Sequence, residues 1–276
     1  MKHSNDQGHL LEKFKQLFIL GAPRSGTSLL HALICTSNEV NDYINECTFL
    51  TALVRLFKQG YADLEDHNRS YFDGDQKYID YQVTILRNFV VDSWLAFDTP
   101  RVLALKDPLL TLHADALALF LPKSEFVVAV RNPEAVMSSY LNVDRKAGKT
   151  ITLDLVRKRC DEITSSHSAT YDLARKYGAR VKFYQYENFF RPDATAVLSS
   201  FLGISNISED RLWISRHFDI NKKDSIWLTE KYGKGISSEN RGENNSRLSE
   251  EQRAIVQELV DPIYNRIISE FILSVE

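Results

Sequence analysis

No stretch of this sequence stays apolar for long enough to cross a bilayer. Runs such as Leu17-Phe18-Ile19-Leu20 and Phe126-Val127-Val128-Ala129-Val130 fall far short of the roughly 20 residues that a spanning helix needs. The N-terminus, Met1 to Gln16, is polar and mixed in charge, unlike a signal peptide. Cysteine is scarce: Cys35, Cys47 and Cys160 are scattered and odd in number. They show neither a disulfide framework nor metal-ligand spacing, which fits a reducing compartment. The expectation from these absences is a cytoplasmic protein with no membrane span. An excess of charge of one sign is missing too, with 34 Lys and Arg against 37 Asp and Glu and a net charge of −3. Neither nucleic acid nor an anionic membrane is therefore expected as a partner, and any anion site must be built locally.

What is present suits a globular chain with a sizeable core: 276 residues, 43% hydrophobic and 26% charged. Leu17 to Gly21 reads as a buried strand ending in glycine. Similar runs recur at Val102–Lys106, Phe126–Val130 and Val181–Tyr184. Helical patterns lie near Ser25–Ser37, Asp75–Leu95, Leu109–Phe120, Pro133–Leu141, Leu153–Tyr177, Asp193–Phe201 and Ser249–Phe271. Strands alternating with helices predict an α/β fold, a mostly parallel sheet flanked by helices on both faces. One domain over residues 1–276, with a short polar extension at 1–14, is the simplest reading. Lys222 to Arg247 differs, being polar and rich in Gly, Ser, Asn and charge; a loop of that length is usually functional or disordered.

The first strand runs into Gly21-Ala22-Pro23-Arg24-Ser25-Gly26-Thr27-Ser28. A glycine-bearing turn at this point exposes backbone N–H groups, and the following helix N-terminus adds partial positive charge. Thr27 and Ser28 add hydroxyls, and Arg24 adds a planar guanidinium. A nucleotide P-loop reads G-x-x-x-x-G-K-S/T. The glycines here have that spacing, but Thr27 stands in place of the lysine. The metal-holding Asp at the end of a second strand is replaced by Arg131. Both departures favour purely cationic and backbone anion binding. After Arg131, Asn132 suits an N-cap and Pro133 a first helical position. Ser139, about two turns along, is placed to pinch one phosphate together with Arg131.

Pro23-Arg24-Ser25-Gly26-Thr27-Ser28 resembles the 5′-phosphosulfate loop of sulfotransferases that use 3′-phosphoadenosine 5′-phosphosulfate (PAPS). That loop runs proline, a basic residue, serine or threonine, glycine and threonine. Arg131 with Ser139 eight positions on is similar to the family's 3′-phosphate motif, with Asn132 for the more usual Asp. Leu105-Lys106-Asp107-Pro108 looks like its segment at the end of a central strand. Tyr184-Gln185-Tyr186-Glu187-Asn188-Phe189 and Phe201-Leu202-Gly203-Ile204 look like two later ones. The resemblance runs from about Phe18 to Gly203. It implies a P-loop-like sulfotransferase fold, PAPS as co-substrate, PAP (adenosine 3′,5′-bisphosphate) as product and a hydroxyl-bearing acceptor. Arg24, Ser25, Gly26, Thr27, Ser28, Arg131 and Ser139 would hold the donor, Tyr186 would lie near the adenine, and no metal would be required.

Sulfuryl transfer needs an in-line acceptor oxygen, a base, and positive charge over the bridging oxygen of the departing PAP. Arg24 and Lys106 are the candidate cations. Glu46 is the leading base, since a glutamate at a similar distance from the loop serves in the Golgi carbohydrate and tyrosylprotein enzymes. His113 is the rival by resemblance to the cytosolic small-molecule enzymes, and Asp107 a third option. His31 reads as structural. Arg241, then Lys234 and Arg247, are the candidates for closing a late loop over the 3′-phosphate, and Phe57 to Lys77 for shaping the acceptor pocket. A P-loop kinase or NTPase, and a non-catalytic PAP-binding protein of the same ancestry, are the alternative functions.

Overall fold

The computed structural model describes residues 8–216, 233–236 and 248–272. Four apolar runs form strands β1 (Lys15–Leu20), β2 (Val102–Lys106), β3 (Glu125–Val130) and β4 (Val181–Gln185). They pair in parallel in the order β2-β1-β3-β4. Both faces are covered, which is why the strands read as near-continuous apolar runs. The two-residue period of a strand still divides them between two cores. Phe18, Leu20, Leu105, Phe126, Val128 and Phe183 belong to one; Leu17, Ile19, Ala104, Val127, Ala129 and Tyr184 belong to the other.

Helix α1 (Thr27–Ile34) and helix α7 (Ala194–Leu202) bring Leu30, Leu33, Leu198 and Leu202 to the second core. On the opposite face lie α2 (Thr48–Ala62), α3 (Asp75–Ala96) and α4 (Ala114–Phe120), contributing Leu50, Val54, Leu86, Val90 and Leu117. Helices α5 (Pro133–Lys146), α6 (Leu153–Tyr177) and α8 (Glu250–Leu259) share a third cluster around Met137, Ile163 and Val256. A buried bidentate pair, Arg159 Nε and Nη2 on Asp144 at 2.9 and 2.6 Å, ties α6 to α5. Among the described residues no helix is long and apolar enough to cross a membrane.

Two helices differ from their sequence expectation. Leu109–Phe120, read as one helix, is a 3₁₀ segment (Pro108–His113) followed by α4. Asp107 caps it by accepting from the Leu109 N–H, Pro108 occupies the first turn, and Thr111 turns its hydroxyl to the backbone of Gly21. Ser249–Phe271, read as one helix, is broken after Leu259, resumes as α9 (Asp261–Ile267) and ends in a π turn (Ile268–Ile272). Pro262 lacks an N–H and its ring crowds the carbonyl one turn back, so α8 cannot continue through it. The segment Phe57 to Lys77 begins inside α2 and continues through a π turn (Leu64–Asn68) and a helical turn (Arg69–Phe72).

The strand order also marks a candidate site. The connection from β1 leads to β2 on one side, and that from β3 leads to β4 on the other. In such sheets ligands bind where neighbouring strands send their connections in opposite directions, at the carboxyl ends. Here that point lies between the ends of β1 and β3.

Candidate anion-binding and catalytic site

The loop leaving β1 is built by close backbone approach. Gly21 has φ 138°, and a Cβ there would stand 2.5 Å from the carbonyl oxygen of Ala129 on β3. The Thr111 hydroxyl accepts the Gly21 N–H at 3.0 Å and donates to the Gly21 carbonyl at 3.2 Å. Ser25, fully buried, donates its hydroxyl to Ala22 O at 2.7 Å, so this side chain serves the loop's own shape. Arg24 sits at φ 74°, a left-handed conformation that costs a non-glycine residue energy. The first intrahelical bond of α1 runs from Leu30 N–H to Gly26 O at 3.0 Å. The N–H groups of Thr27, Ser28 and Leu29 therefore lie at the helix mouth, where the dipole favours an anion.

Next to this mouth stands Lys106, the last residue of β2, in register with Ile19 of β1. It is 2% exposed and donates to Ser28 Oγ at 3.0 Å and to Glu46 Oε1 at 2.9 Å. The Glu46 side chain is 41% exposed. Two further bonds pin the start of α2 to the exit of β2. Cys47 N–H donates to Lys106 O at 2.9 Å, and the Thr51 hydroxyl donates to Asp107 Oδ2 at 2.6 Å. Burial pushes the Asp107 carboxyl above its ordinary range, with the bonds from Thr51 and Leu109 opposing.

On the β3 side, Arg131 follows the strand and is buried. Its guanidinium lies over the Tyr186 ring, 4.1 Å from the centroid, and its Nη1 donates to Arg24 O at 3.4 Å. Burial draws the Arg131 pKa below its ordinary value and neighbouring Arg24 acts the same way, while Tyr186 and Glu187 oppose. Asn132 Oδ1 caps α5 through the Ala135 N–H at 3.1 Å, and the Asn132 N–H donates to Glu187 Oε1 at 3.3 Å. Ser139 on α5 accepts from Arg24 Nε at 3.1 Å. The two loops are thus joined directly by Arg24, which bonds to one member of the β3-side pair and receives the other.

The fold brings Ser28, Glu46 and Lys106 together at the exit of β2, and Arg24, Arg131, Ser139 and Tyr186 together at the exit of β3. Thr27 is buried in the first turn of α1. Arg241 and Arg247 lie outside the described residues; Lys234 is exposed, its carbonyl accepting from the Trp213 indole at 2.9 Å. His113 has Lys58 and Arg55 of α2 and Asp115 of α4 as charged neighbours; burial first and the two cations next lower its pKa, while Asp115 opposes. His31 is buried with Nε2 3.1 Å from Ala104 O. Sequence reasoning missed the Thr51–Asp107 bond and the stacking of Arg131 on Tyr186. The only signal for the latter is that both residues directly follow neighbouring strands.

A family model described as the sulfotransferase family matches residues 16–195, from β1 to the start of α7 and across both loops. No curated protein matches the sequence. Among solved structures, a sulfotransferase from Alicyclobacillus acidocaldarius is 14% identical with a TM-score of 0.53, over 92% of this chain and 94% of that one. The sulfotransferase domain of the Synechococcus PCC 7002 olefin synthase is 17% identical with a TM-score of 0.50, over 89% and 94%. Sulfotransferase STF9 from Mycobacterium avium is 15% identical with a TM-score of 0.51, over 98% and 81%. At these identities the likeness is one of fold.

Proposed function

The chain belongs to the sulfotransferase family, and from that premise we propose that it moves a sulfuryl group from PAPS to an acceptor hydroxyl and releases PAP, within a single domain. The observation that carries this reading is Lys106, a buried cation bonded at once to Ser28 of the anion loop and to Glu46. It joins a site for a leaving phosphate to a carboxylate that is open to solvent.

In the reaction, the sulfur–oxygen bond to the 5′-phosphate breaks while one forms to the acceptor oxygen. Glu46 takes the acceptor's proton, which geometry and exposure both permit. The oxygen left on the 5′-phosphate gains negative charge; Lys106 and the α1 N-terminus stabilise it, and Arg24, held through Nε by Ser139, adds positive charge from the loop. Arg131 and Ser139 hold the 3′-phosphate. Arg131 stands where a P-loop enzyme would carry its metal-binding Asp, which favours sulfuryl over nucleotide chemistry.

The test uses calorimetric titration with PAP and turnover of labelled PAPS against a panel of alcohols, phenols and sugars. Arg24→Ala and Arg131→Ala should each weaken PAP binding. Glu46→Gln should leave PAP binding intact and cut transfer by about 10²–10⁴-fold, the usual size of a general-base contribution. Mg²⁺-dependent ATP hydrolysis with no PAP binding would replace this reading with that of a nucleotidase. Binding of PAP by a wild type that transfers to nothing would support the non-catalytic alternative.

A further inference from the structure

Arg131 and Tyr186 meet because the register Val130↔Gln185 brings the carboxyl ends of β3 and β4 side by side. Both are 7% exposed. A Cβ built on Gly26 would stand 2.4 Å from Tyr186 Cδ2, so the ring rests directly on the glycine backbone of the anion loop. Phe189 and Phe190 fix the ring by edge contacts at centroid distances of 5.6 and 5.4 Å. Arg131 then covers a face of that immobilised ring. A buried guanidinium is costly to hold without compensation, and the ring quadrupole supplies some of it while fixing the plane of the fork.

We infer that Tyr186 is a positioning residue, which sets Arg131 for the 3′-phosphate and, through its contact with Gly26, ties that arm to the loop for the 5′-phosphate. This rests on the PAPS reading above. It differs from a role against the adenine, because the ring face under Arg131 is closed to a base. The residue acts on one end of the ligand only, so its loss should be felt through the 3′-phosphate.

Calorimetric titration of the full chain with PAP and with AMP, which lacks the 3′-phosphate, separates the two ends. In the wild type the ratio of PAP to AMP affinity measures the 3′-phosphate contact. Tyr186→Leu should lower that ratio by about three- to thirtyfold, the range of a cation–π contact from exposed to desolvated, with AMP affinity kept. Tyr186→Phe, which retains the ring, should keep the ratio. Tyr186→Met also lacks the ring face but fills irregular space with an unbranched, adaptable chain, and carries the same expectation as the leucine, should that variant fail to fold. If PAP and AMP affinities fall together and the ratio holds, the ring serves the adenine and the inference is overturned. If Tyr186→Phe loses the ratio, the hydroxyl and not the ring is responsible, and it is likewise overturned. A wild type that binds AMP and PAP equally, or neither, overturns the PAPS reading itself.

Discussion

At the scale of single residues, the pair Lys106–Glu46 is uneven. The lysine is 2% exposed and the glutamate 41%. Burying an ammonium group costs several kcal/mol before its partners return any of it, and removing one member of an ion pair is costly chiefly where it leaves the other charge buried; Glu46 is open to water. A fold selected for stability alone would have little use for a lysine at the end of β2. On the proposed mechanism its charge is needed when the phosphate departs. Lys106→Met should therefore leave the melting temperature unchanged or raise it, while cutting transfer from PAPS by at least ~100-fold. Thermal melts and turnover measured on the same preparation check this. A large loss of stability would instead make Lys106 a structural strut.

At the scale of elements, the position of Glu46 depends on how α2 is fastened to β2. Glu46 precedes the helix by one residue beyond its N-cap, Cys47. The Cys47–Lys106 and Thr51–Asp107 bonds join the same two segments just beyond the Lys106–Glu46 pair. Asp107 is buried, so removing its hydroxyl partner withdraws a bond that water cannot easily replace. Thr51→Val, close in shape, should cost about 1–3 kcal/mol of stability and speed amide exchange at the start of α2; Thr51→Ser should recover most of both. Denaturant titration and hydrogen exchange on the three proteins provide the comparison. Equal exchange in all three would show that the apolar face of α2 alone holds it in place.

At the scale of the whole molecule, two buried histidines tie acid stability to the packing of the fold, with the Lys106 charge adding to the effect of burial at His31. His31 on α1 and His167 on α6 are held by burial at about 3 and about 4, against an ordinary value of 6.5. Both are neutral in the native state at pH 5, whereas the unfolded chain takes up protons on them below 6.5. The unfolded state therefore binds more protons, and stability rises with pH across this window. It is lost as pH falls from 6.5 towards about 4 for His167, and on towards about 3 for His31. For His167 alone the loss between pH 7 and pH 5 is about 2 kcal/mol. His167→Phe should flatten the decline by that amount in urea titrations at the two pH values. An identical decline in the variant would place the acid sensitivity elsewhere.

The strands, most of the helices and the two strand-to-helix loops were legible in the sequence because each is a contiguous statement. Apolar runs mark buried parallel strands, Asn132-Pro133 marks a helix start, and the spacing of Gly21, Gly26, Thr27 and Ser28 marks a tight turn from strand into helix. The family resemblance lay in those same contiguous pieces. Glu46 and Lys106 could be named as candidates singly, but their contact spans 60 positions, and the bond between Arg24 and Ser139 spans 115. No local pattern encodes such pairs; strand order and register bring them together. The same cause hid the Thr51–Asp107 latch, the 3₁₀ start of Leu109–Phe120 and the seating of Arg131 on Tyr186. By itself the sequence determined a parallel α/β sheet and a glycine-bearing strand-to-helix loop with threonine in place of the P-loop lysine. Only the tertiary structure decided which cation meets which carboxylate at that loop, because those contacts are made across strand ends that are distant along the chain.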